Sequence, residues 1–359
     1  MSPTNFFMRR NLLISLLLVQ LVASLSLIAF AKLEPVILEV FELSGIRFQL
    51  IIFQNLMVMF IPVLIGVILD RYFSKKYFAG ISIGAMITLL SLVLLLLLFY
   101  GWLGNGTLAW ILLSIWFLGI KLFSVFGYGL LDQVTNKNRW PVATVFIAQI
   151  IFITYIFSRQ LSEIVYRSGP VLVTILLIIL VTLSYVFYRV VHQEIIEESK
   201  QPLEVTNKTS FGFISIVAVL TGFFQLVITG FMPIWIMGKS NNALHEYGSE
   251  FPLTLLLIVS FLSAWPLAAL VSKKGIVPSL RLAIAGCFFS LTFIFMVPDM
   301  YAALVGLILA GVAFALLFVS GLPYVLVNRH PDNRYMAIAL FFSVMEMPGL
   351  VLDILRFGK

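Results

Sequence analysis

The sequence predicts an all-α integral membrane protein built from two similar helix bundles arranged in parallel. Hydrophobic residues make up 61% of the 359 positions and charged residues only 11%, and the mean hydropathy is +1.09. A water-soluble domain has too little core to bury that much apolar surface, whereas a lipid bilayer accommodates it. The second observation is a series of long apolar runs, and the third is a partial internal repeat.

The apolar runs are about long enough to cross a ~30 Å hydrocarbon core, which takes roughly 20 helical residues. Each run is expected to be helical, because lipid offers no hydrogen-bond partner to an unpaired backbone amide. About eleven transmembrane helices are predicted, at residues 11–31, 49–69, 78–100, 109–131, 141–158, 170–190, 212–237, 252–271, 279–297, 301–325 and 335–355.

Two short segments recur at nearly the same spacing, about 195 residues apart. Residues 138–146 (NRWPVATVF) are similar to residues 333–341 (NRYMAIALF), and the tripeptide SKK occurs at both 74–76 and 272–274. Chance similarity in an apolar sequence explains either pair alone more easily than it explains both. Parallel repeats in a membrane chain are typical of transporters.

The repeat divides the chain into an N-terminal six-helix bundle at 1–190, a cytoplasmic linker at 191–210 and a C-terminal bundle at 211–359. The linker is the longest polar stretch, and its glutamates suit a solvated segment. Only five predicted helices follow it, because the counterpart of the sixth would begin beyond Lys359. A twelfth helix is therefore missing from the expected pattern.

The basic residues predict that the N terminus lies in the cytoplasm. With that orientation most of the 23 Lys and Arg residues fall in cytoplasmic segments, as the positive-inside rule requires. The expected location is the plasma membrane, or the inner membrane if the source is bacterial. The net charge of +7 is then explained by membrane topology and by contact with lipid headgroups, so no nucleic-acid partner is expected. The protein is also expected to be a monomer.

One loop motif resembles the signature of a transporter family. The pattern Gly66-x-x-x-Asp70-Arg71, followed by two lysines between the second and third predicted helices, resembles that of the major facilitator superfamily, although Ser74 stands where the family usually has glycine. The resemblance implies the family's fold and a charge network that closes the cytoplasmic gate. The residues of this gate would be the charged residues Asp70, Arg71, Asp132, Arg139 and Arg334, together with Gly66. Ordinary topology-setting charge is the alternative, although it explains Asp70 poorly.

A finer resemblance concerns the tenth and eleventh predicted helices. Leu322-Pro323-Tyr324, with Pro331 and Pro348 further on, is similar to the same region of sucrose and glycoside-pentoside-hexuronide transporters. The basic Gly-Arg-Arg stretch of those proteins is absent here. The fifth predicted helix has no glycine, which distinguishes it from the glycine-rich helix five of drug–proton antiporters.

Polar residues on the first, fourth and seventh predicted helices are candidate binding groups, because these helices line the central cavity in the family. Several recur every four or seven positions, which places them on one face of a helix. The candidates are Gln20, Ser114, Lys121, Tyr128, Thr221, Gln225 and Thr229. Ordinary hydrogen bonds between helices are the alternative explanation for any one of them.

Lys121 and Glu346 are the two ionisable residues deepest in the predicted membrane region. A lysine at that depth is costly unless it faces a cavity or a partner, so Lys121 is a candidate for binding an anionic or strongly hydrogen-bonding solute. Glu346 is a candidate for proton coupling, since burial favours the protonated carboxyl group. Each has a structural alternative, and the two are also candidates for pairing across the halves.

These observations predict a secondary active transporter that moves a small polar solute by alternating access, with protons as the coupling ion. A transport-inactive scaffold or assembly factor and a small-molecule efflux antiporter are the alternatives. No enzyme activity, cofactor or metal is expected, because His192, His245 and His330 are scattered over loops and no phosphate-binding glycine loop precedes a helix. The expected partners are the solute, protons and the bilayer.

Overall fold

The computed structural model describes residues 3–72, 76–101, 106–134, 139–195, 210–239, 251–297, 299–328 and 333–357. Within these residues the chain is all-helical and contains no β-strand. Ten of the described helices are long and apolar enough to cross a membrane, and Trp140–Ile156 is a shorter apolar helix. The predicted all-α membrane fold is therefore confirmed, with the fifth predicted helix as the shortest.

The first half contains six long helices and the described part of the second half contains five. They are α1 (Pro3–Val40), α2 (Arg47–Tyr72), α3 (Lys76–Phe99), α4 (Gly106–Tyr128), α5 (Trp140–Ile156), α6 (Ser158–Ile195), α7 (Phe211–Leu226, continued by Val227–Phe231 and Met232–Lys239), α8 (Phe251–Lys274), α9 (Ile276–Met296), α10 (Met300–Val327) and α11 (Arg334–Met345, continued by Met347–Phe357). Short helical turns occur at Ser44–Ile46 and Leu131–Val134.

Two helices of the first half are longer than the sequence predicts. Helix α1 continues to Val40, because Leu33 and Ile37 beyond the predicted end are buried in the core. Helix α6 begins at Ser158 and bends at Gly169, whose φ of 76° is available to glycine at little cost and precedes Pro170. The predicted linker lies largely outside the described residues.

Two helices of the second half depart from α-helical geometry near their middle. Helix α7 contains a π-helical turn at Val227–Phe231. Helix α11 is interrupted at Glu346, which ends its first segment and lies two residues before Pro348. In α11, Pro348 has no N–H group and cannot donate a helical hydrogen bond. Turns of π-helix such as the one in α7 occur frequently at functional sites.

Most helices pack within their own half, whereas α2, α5 and α11 pack chiefly against helices of the other half. In the first half α4 packs against α1 and α3, and α6 packs against the same two helices. In the second half α10 packs against α8 and α9. The principal contacts between the halves are α2 with α11 and α5 with α8. This arrangement brings the fourth, seventh and eleventh helices together at the centre.

Candidate functional site

An ion pair between Lys121 and Glu346 joins the two halves near the middle of the membrane helices. Lys121 Nζ lies 2.5 Å from Glu346 Oε1, and the side chains are 20% and 34% exposed. Lys121 is on α4, and Glu346 is at the interruption of α11. The sequence analysis named the two residues as candidates for pairing across the halves, and the structure contains this pair.

The surroundings of the pair are largely aromatic. Lys121 Nζ lies 5.5 Å from the centroid of the Phe117 ring, within the range of a cation–π contact. One heptad along α4, Tyr128 stacks on Phe342 of α11, with ring centroids 4.5 Å apart. The interface around the charges thus offers both a lysine–glutamate pair and flat apolar surfaces.

A small cavity of about 30 Å³ lies between the halves beside Tyr128. That volume suits about one water molecule. Its lining includes the hydroxyl-bearing residues Thr144 and Thr221 as well as the aromatic residues Phe318 and Phe342. Helices α4, α5, α7, α10 and α11 all contribute to it, so the cavity lies where helices of the two halves meet.

The other predicted binding residues have varied surroundings. Thr221 and Thr229 each donate to a carbonyl of their own helix α7, at 2.7 and 2.6 Å. Thr221 lines the central cavity, and Gln225 Oε1 is buried and accepts no hydrogen bond from the residues that the structure describes. Ser114 is buried and donates to the carbonyl of Trp110.

The side chain of Gln20 forms hydrogen bonds within the first half. Its side-chain nitrogen donates to the backbone carbonyl of Ser124 at 2.9 Å, and the Ser124 hydroxyl donates back to Gln20 Oε1 at 2.9 Å. Gln20 is only 1% exposed. These contacts are hydrogen bonds between helices, which the sequence analysis gave as the alternative to a cavity role for Gln20.

Asp70 joins the halves at the end of α2. Its carboxylate oxygens accept hydrogen bonds from the backbone N–H groups of Tyr335 and Met336, at 3.3 and 2.9 Å. These amides belong to the first turn of α11, where helical N–H groups lack partners in their own helix and the helix dipole favours a negative charge. Asp70 thus caps a helix of the other half.

Gly66 permits the close approach that this cap requires. It lies one turn before Asp70 on the same face of α2, and a Cβ atom built there would be 2.9 Å from the Met336 nitrogen. The other members of the predicted network are less clearly placed. The side chains of Arg71 and Arg139 are exposed. Arg334 is the first residue of α11, and its side chain or backbone interacts with another residue. The side chain of Asp132 is outside the part of the chain that the structure describes.

Two further contacts between α2 and α11 were not predicted from the sequence. Ser343 donates to the Val58 carbonyl at 3.2 Å, and Asn55 donates to Asp353 Oδ2 at 3.2 Å. Glu346 and Asp353 are seven residues apart in α11, and this spacing of two carboxylates on one helix is the signal that could have found Asp353. Hydrogen bonds thus connect α2 and α11 along most of their length.

Among the described residues, no group of three or more His, Cys, Asp or Glu side chains is arranged to hold a metal ion. The described charged and polar side chains that meet between the halves include Lys121, Glu346, Asn55, Asp353, Asp70 and Ser343. One of these contacts is an ion pair, between Lys121 and Glu346, and the others are hydrogen bonds.

No protein-family model matches the chain, and no curated protein matches it in sequence. Solved structures do match. A bacterial homologue of the iron transporter ferroportin, in an outward-facing state with soaked iron, is similar with a TM-score of 0.73 and 14% identity, over 97% of this chain and 92% of that chain.

Two further solved structures are similar at comparable identity. The E. coli fucose:proton symporter has a TM-score of 0.65 and 16% identity, covering 97% of this chain and 90% of that chain. The human organic anion transporter MFSD10 has a TM-score of 0.64 and 13% identity, covering 99% and 93%. None of the three is named as a sucrose transporter, so the finer resemblance stays a prediction. The chain therefore has the fold of major facilitator superfamily transporters.

Proposed function

We propose that the chain is a secondary active transporter that moves a small polar solute bearing an anionic group, with protons as the coupling ion. The observation that carries the proposal is the Lys121–Glu346 ion pair between the halves. Alternating access requires the halves to move relative to each other, so a charge pair at their centre must be rearranged during transport.

Opening the pair would leave two uncompensated charges in a region of low dielectric, which is unfavourable. An anionic group of the solute that binds Lys121 compensates one charge, and a proton that binds Glu346 removes the other. The two ligands together therefore stabilise an open arrangement that neither stabilises alone. That reciprocal dependence is the thermodynamic requirement for coupled transport.

The cap of α11 by Asp70 supports a gate at that end of the bundle. Its contacts are two hydrogen bonds to backbone amides of the opposite half, which can be broken as the halves separate. We assign this end to the cytoplasm, because the positive-inside rule places the N terminus there. The proposed location is the plasma membrane, or the inner membrane of a bacterium.

The structural neighbours support the proposal at the level of mechanism. One is named as a proton symporter and another as an organic anion transporter. The Lys121–Glu346 pair favours transport over a scaffold role, because a scaffold has no need of a costly charge pair at membrane depth.

Uptake into proteoliposomes tests the proposal. Labelled small carboxylates, sulfonates and neutral sugars are supplied with and without an inward proton gradient. We expect the gradient to accelerate uptake of at least one anion, Lys121→Met to abolish that uptake, and Glu346→Gln to make it insensitive to the gradient. An absence of uptake for every solute, or unchanged gradient dependence in both variants, contradicts the proposal.

A further inference from the structure

Tyr155 of α5 faces the space between the two halves. It follows Ala148 and Thr144, which both line the central cavity, by seven and eleven residues, and these spacings put the three side chains on one face of the helix. Ile153 is also exposed, but it lies on the opposite face of α5, which is directed away from the cavity. The 44% exposure of Tyr155 is therefore exposure toward the interior of the bundle.

Tyr155 also lies close to the central ion pair. It interacts electrostatically with both Lys121 and Glu346, and the interaction with Lys121 is the larger of the two. Lys121 is seven residues from the cavity-lining Tyr128 on the same face of α4, and Glu346 directly follows Met345, which lines the cavity as well. A hydroxyl, an ammonium and a carboxyl group thus come together beside the cavity, from three different helices.

Gln225 adds a hydrogen-bond acceptor from α7, a helix that packs against α11. It lies one turn beyond Thr221, which lines the cavity, and on the same side of the helix. Its Oε1 atom is buried and accepts no hydrogen bond from the part of the chain that the structure describes. A buried acceptor without a donor is unfavourable, so a bound solute that supplies a donor would be stabilised there.

The donors of this site suit the oxygen atoms of an anion. The Lys121 ammonium group carries three hydrogens, and its bond to Glu346 uses one of them. The Tyr155 hydroxyl can donate one further hydrogen bond. Two donors on neighbouring helices match the two oxygen atoms of a carboxylate, whereas Gln225 Oε1 requires a hydrogen from another part of the solute.

We infer that the solute is a small carboxylic acid that also carries a hydrogen-bond donor, either a hydroxyl or an amino group. Lys121 and Tyr155 bind its carboxylate, and Gln225 Oε1 accepts a hydrogen bond from its donor. The inference rests on the proposed transport function and deepens it, because it states what the solute needs besides a negative charge. It also adds Tyr155 to the binding residues.

Equilibrium binding of matched acids to the purified protein tests this solute class. Lactate and propionate differ by one hydroxyl group, as do malate and succinate, and alanine replaces that hydroxyl with an amino group. A site that hydrogen-bonds a group of its ligand discriminates strongly against the analogue that lacks it. We expect the donor-bearing acid of at least one set to bind about tenfold more tightly than its counterpart in isothermal titration calorimetry.

Two variants separate the roles of Gln225 and Tyr155. Gln225→Leu should abolish the preference for the donor-bearing acid and leave the binding of its counterpart unchanged, which also shows that the variant is folded. Tyr155→Phe should weaken both acids of the set by about the same factor, roughly tenfold. Tyr185→Phe is the matched control, because the Tyr185 hydroxyl donates to Ser82 between α6 and α3, and it should leave binding unchanged.

Equal binding within every set, no binding of any acid, or a preference that survives Gln225→Leu would overturn the solute class. Unchanged binding in Tyr155→Phe would overturn the role of Tyr155. Proton-driven uptake of an anion whose hydroxyl group makes no difference would overturn this inference and leave the proposed transport function standing. Donor-dependent binding without any uptake would support the site and contradict the transport function instead.

Discussion

Lys121 of α4 and Glu346 of α11 lie 225 residues apart in the sequence, yet their side-chain atoms Nζ and Oε1 are 2.5 Å apart. Glu346 occupies the interruption between the two segments of α11, where the helix shifts before Pro348. The interruption therefore places a carboxylate at a point where the backbone is already irregular. Helix α11 packs against α2, α4 and α7, so we expect a change in the charge of Glu346 to affect its contacts with these helices.

The ion pair should couple the two residues energetically. A hydrogen bond to a charged group contributes about 1.5–3 kcal/mol, and partial exposure puts this pair at the lower end. We expect Lys121→Met and Glu346→Gln each to lower the unfolding midpoint in detergent, and the double variant to recover part of the loss. Thermal unfolding followed by intrinsic fluorescence measures this.

Glu163→Gln is a matched control for that cycle, because Glu163 pairs with Arg159 on α6 in an exposed i,i+4 arrangement. Such a surface pair contributes little to stability, so the control should leave the unfolding midpoint almost unchanged. If the changes in unfolding midpoint caused by Lys121→Met and Glu346→Gln were strictly additive in the double variant, the two side chains would not be energetically coupled.

Asp70→Asn should open the end of the bundle that Asp70 closes. The variant removes the negative charge that faces the N terminus of α11 and weakens an interaction of about 1–2 kcal/mol. This corresponds to roughly a tenfold change in the ratio of closed to open molecules at this end of the bundle. A cysteine replacing Thr144 in the central cavity should then react faster with a membrane-impermeant maleimide. Asp299→Asn is the control, since Asp299 caps α10 of its own half through the Ala302 amide.

The topology is testable with cysteines at strongly exposed positions. Tyr72 at the end of α2 is 77% exposed and Tyr166 in α6 is 83% exposed, whereas the native Cys287 is buried. We expect Tyr72→Cys to react only from the cytoplasmic side and Tyr166→Cys only from the outside. The reverse pattern would overturn the assignment of the N terminus to the cytoplasm.

Much of the fold could be predicted because composition and apolar length control membrane helices directly. Lipid forces each apolar run to be helical, so runs such as Leu89–Phe99 leave little choice of structure. The positions of Lys121 and Glu346 deep in the membrane region follow from counting residues along the same apolar runs. Their pairing is favoured because no other described acidic residue lies close to Lys121.

Other features depend on packing that a single sequence does not encode locally. Nothing near Gln20 distinguishes a cavity-lining amide from one that bonds Ser124, since either arrangement satisfies the side chain. The π turn in α7 precedes Pro233, which has no N–H to donate to the Thr229 carbonyl, but a proline alone does not tell a π turn from a kink or a helix end. Asn55 meets Asp353 only because α2 and α11 are antiparallel neighbours, which local periodicity does not determine.

The close contact between α2 and α11 should be sensitive to a single methyl group. An alanine at Gly66 would place its Cβ about 2.9 Å from the Met336 nitrogen, nearer than side-chain carbons normally approach. Overpacking of this kind costs about 1–3 kcal/mol, and here the helices can relieve it by separating. We therefore expect Gly66→Ala to raise the labelling rate of a cysteine at position 144, as we also expect for Asp70→Asn, and to slow transport.

Gly212→Ala is the control for the methyl group, because a Cβ at Gly212 in α7 would meet nothing within 4 Å. Alanine favours helix formation over glycine, so the control should be neutral or slightly stabilising. Combining Gly66→Ala with Asp70→Asn should add little to either change alone, since both act on the same contact between α2 and the start of α11. Full additivity in the labelling rate would mean that the two residues close the bundle independently.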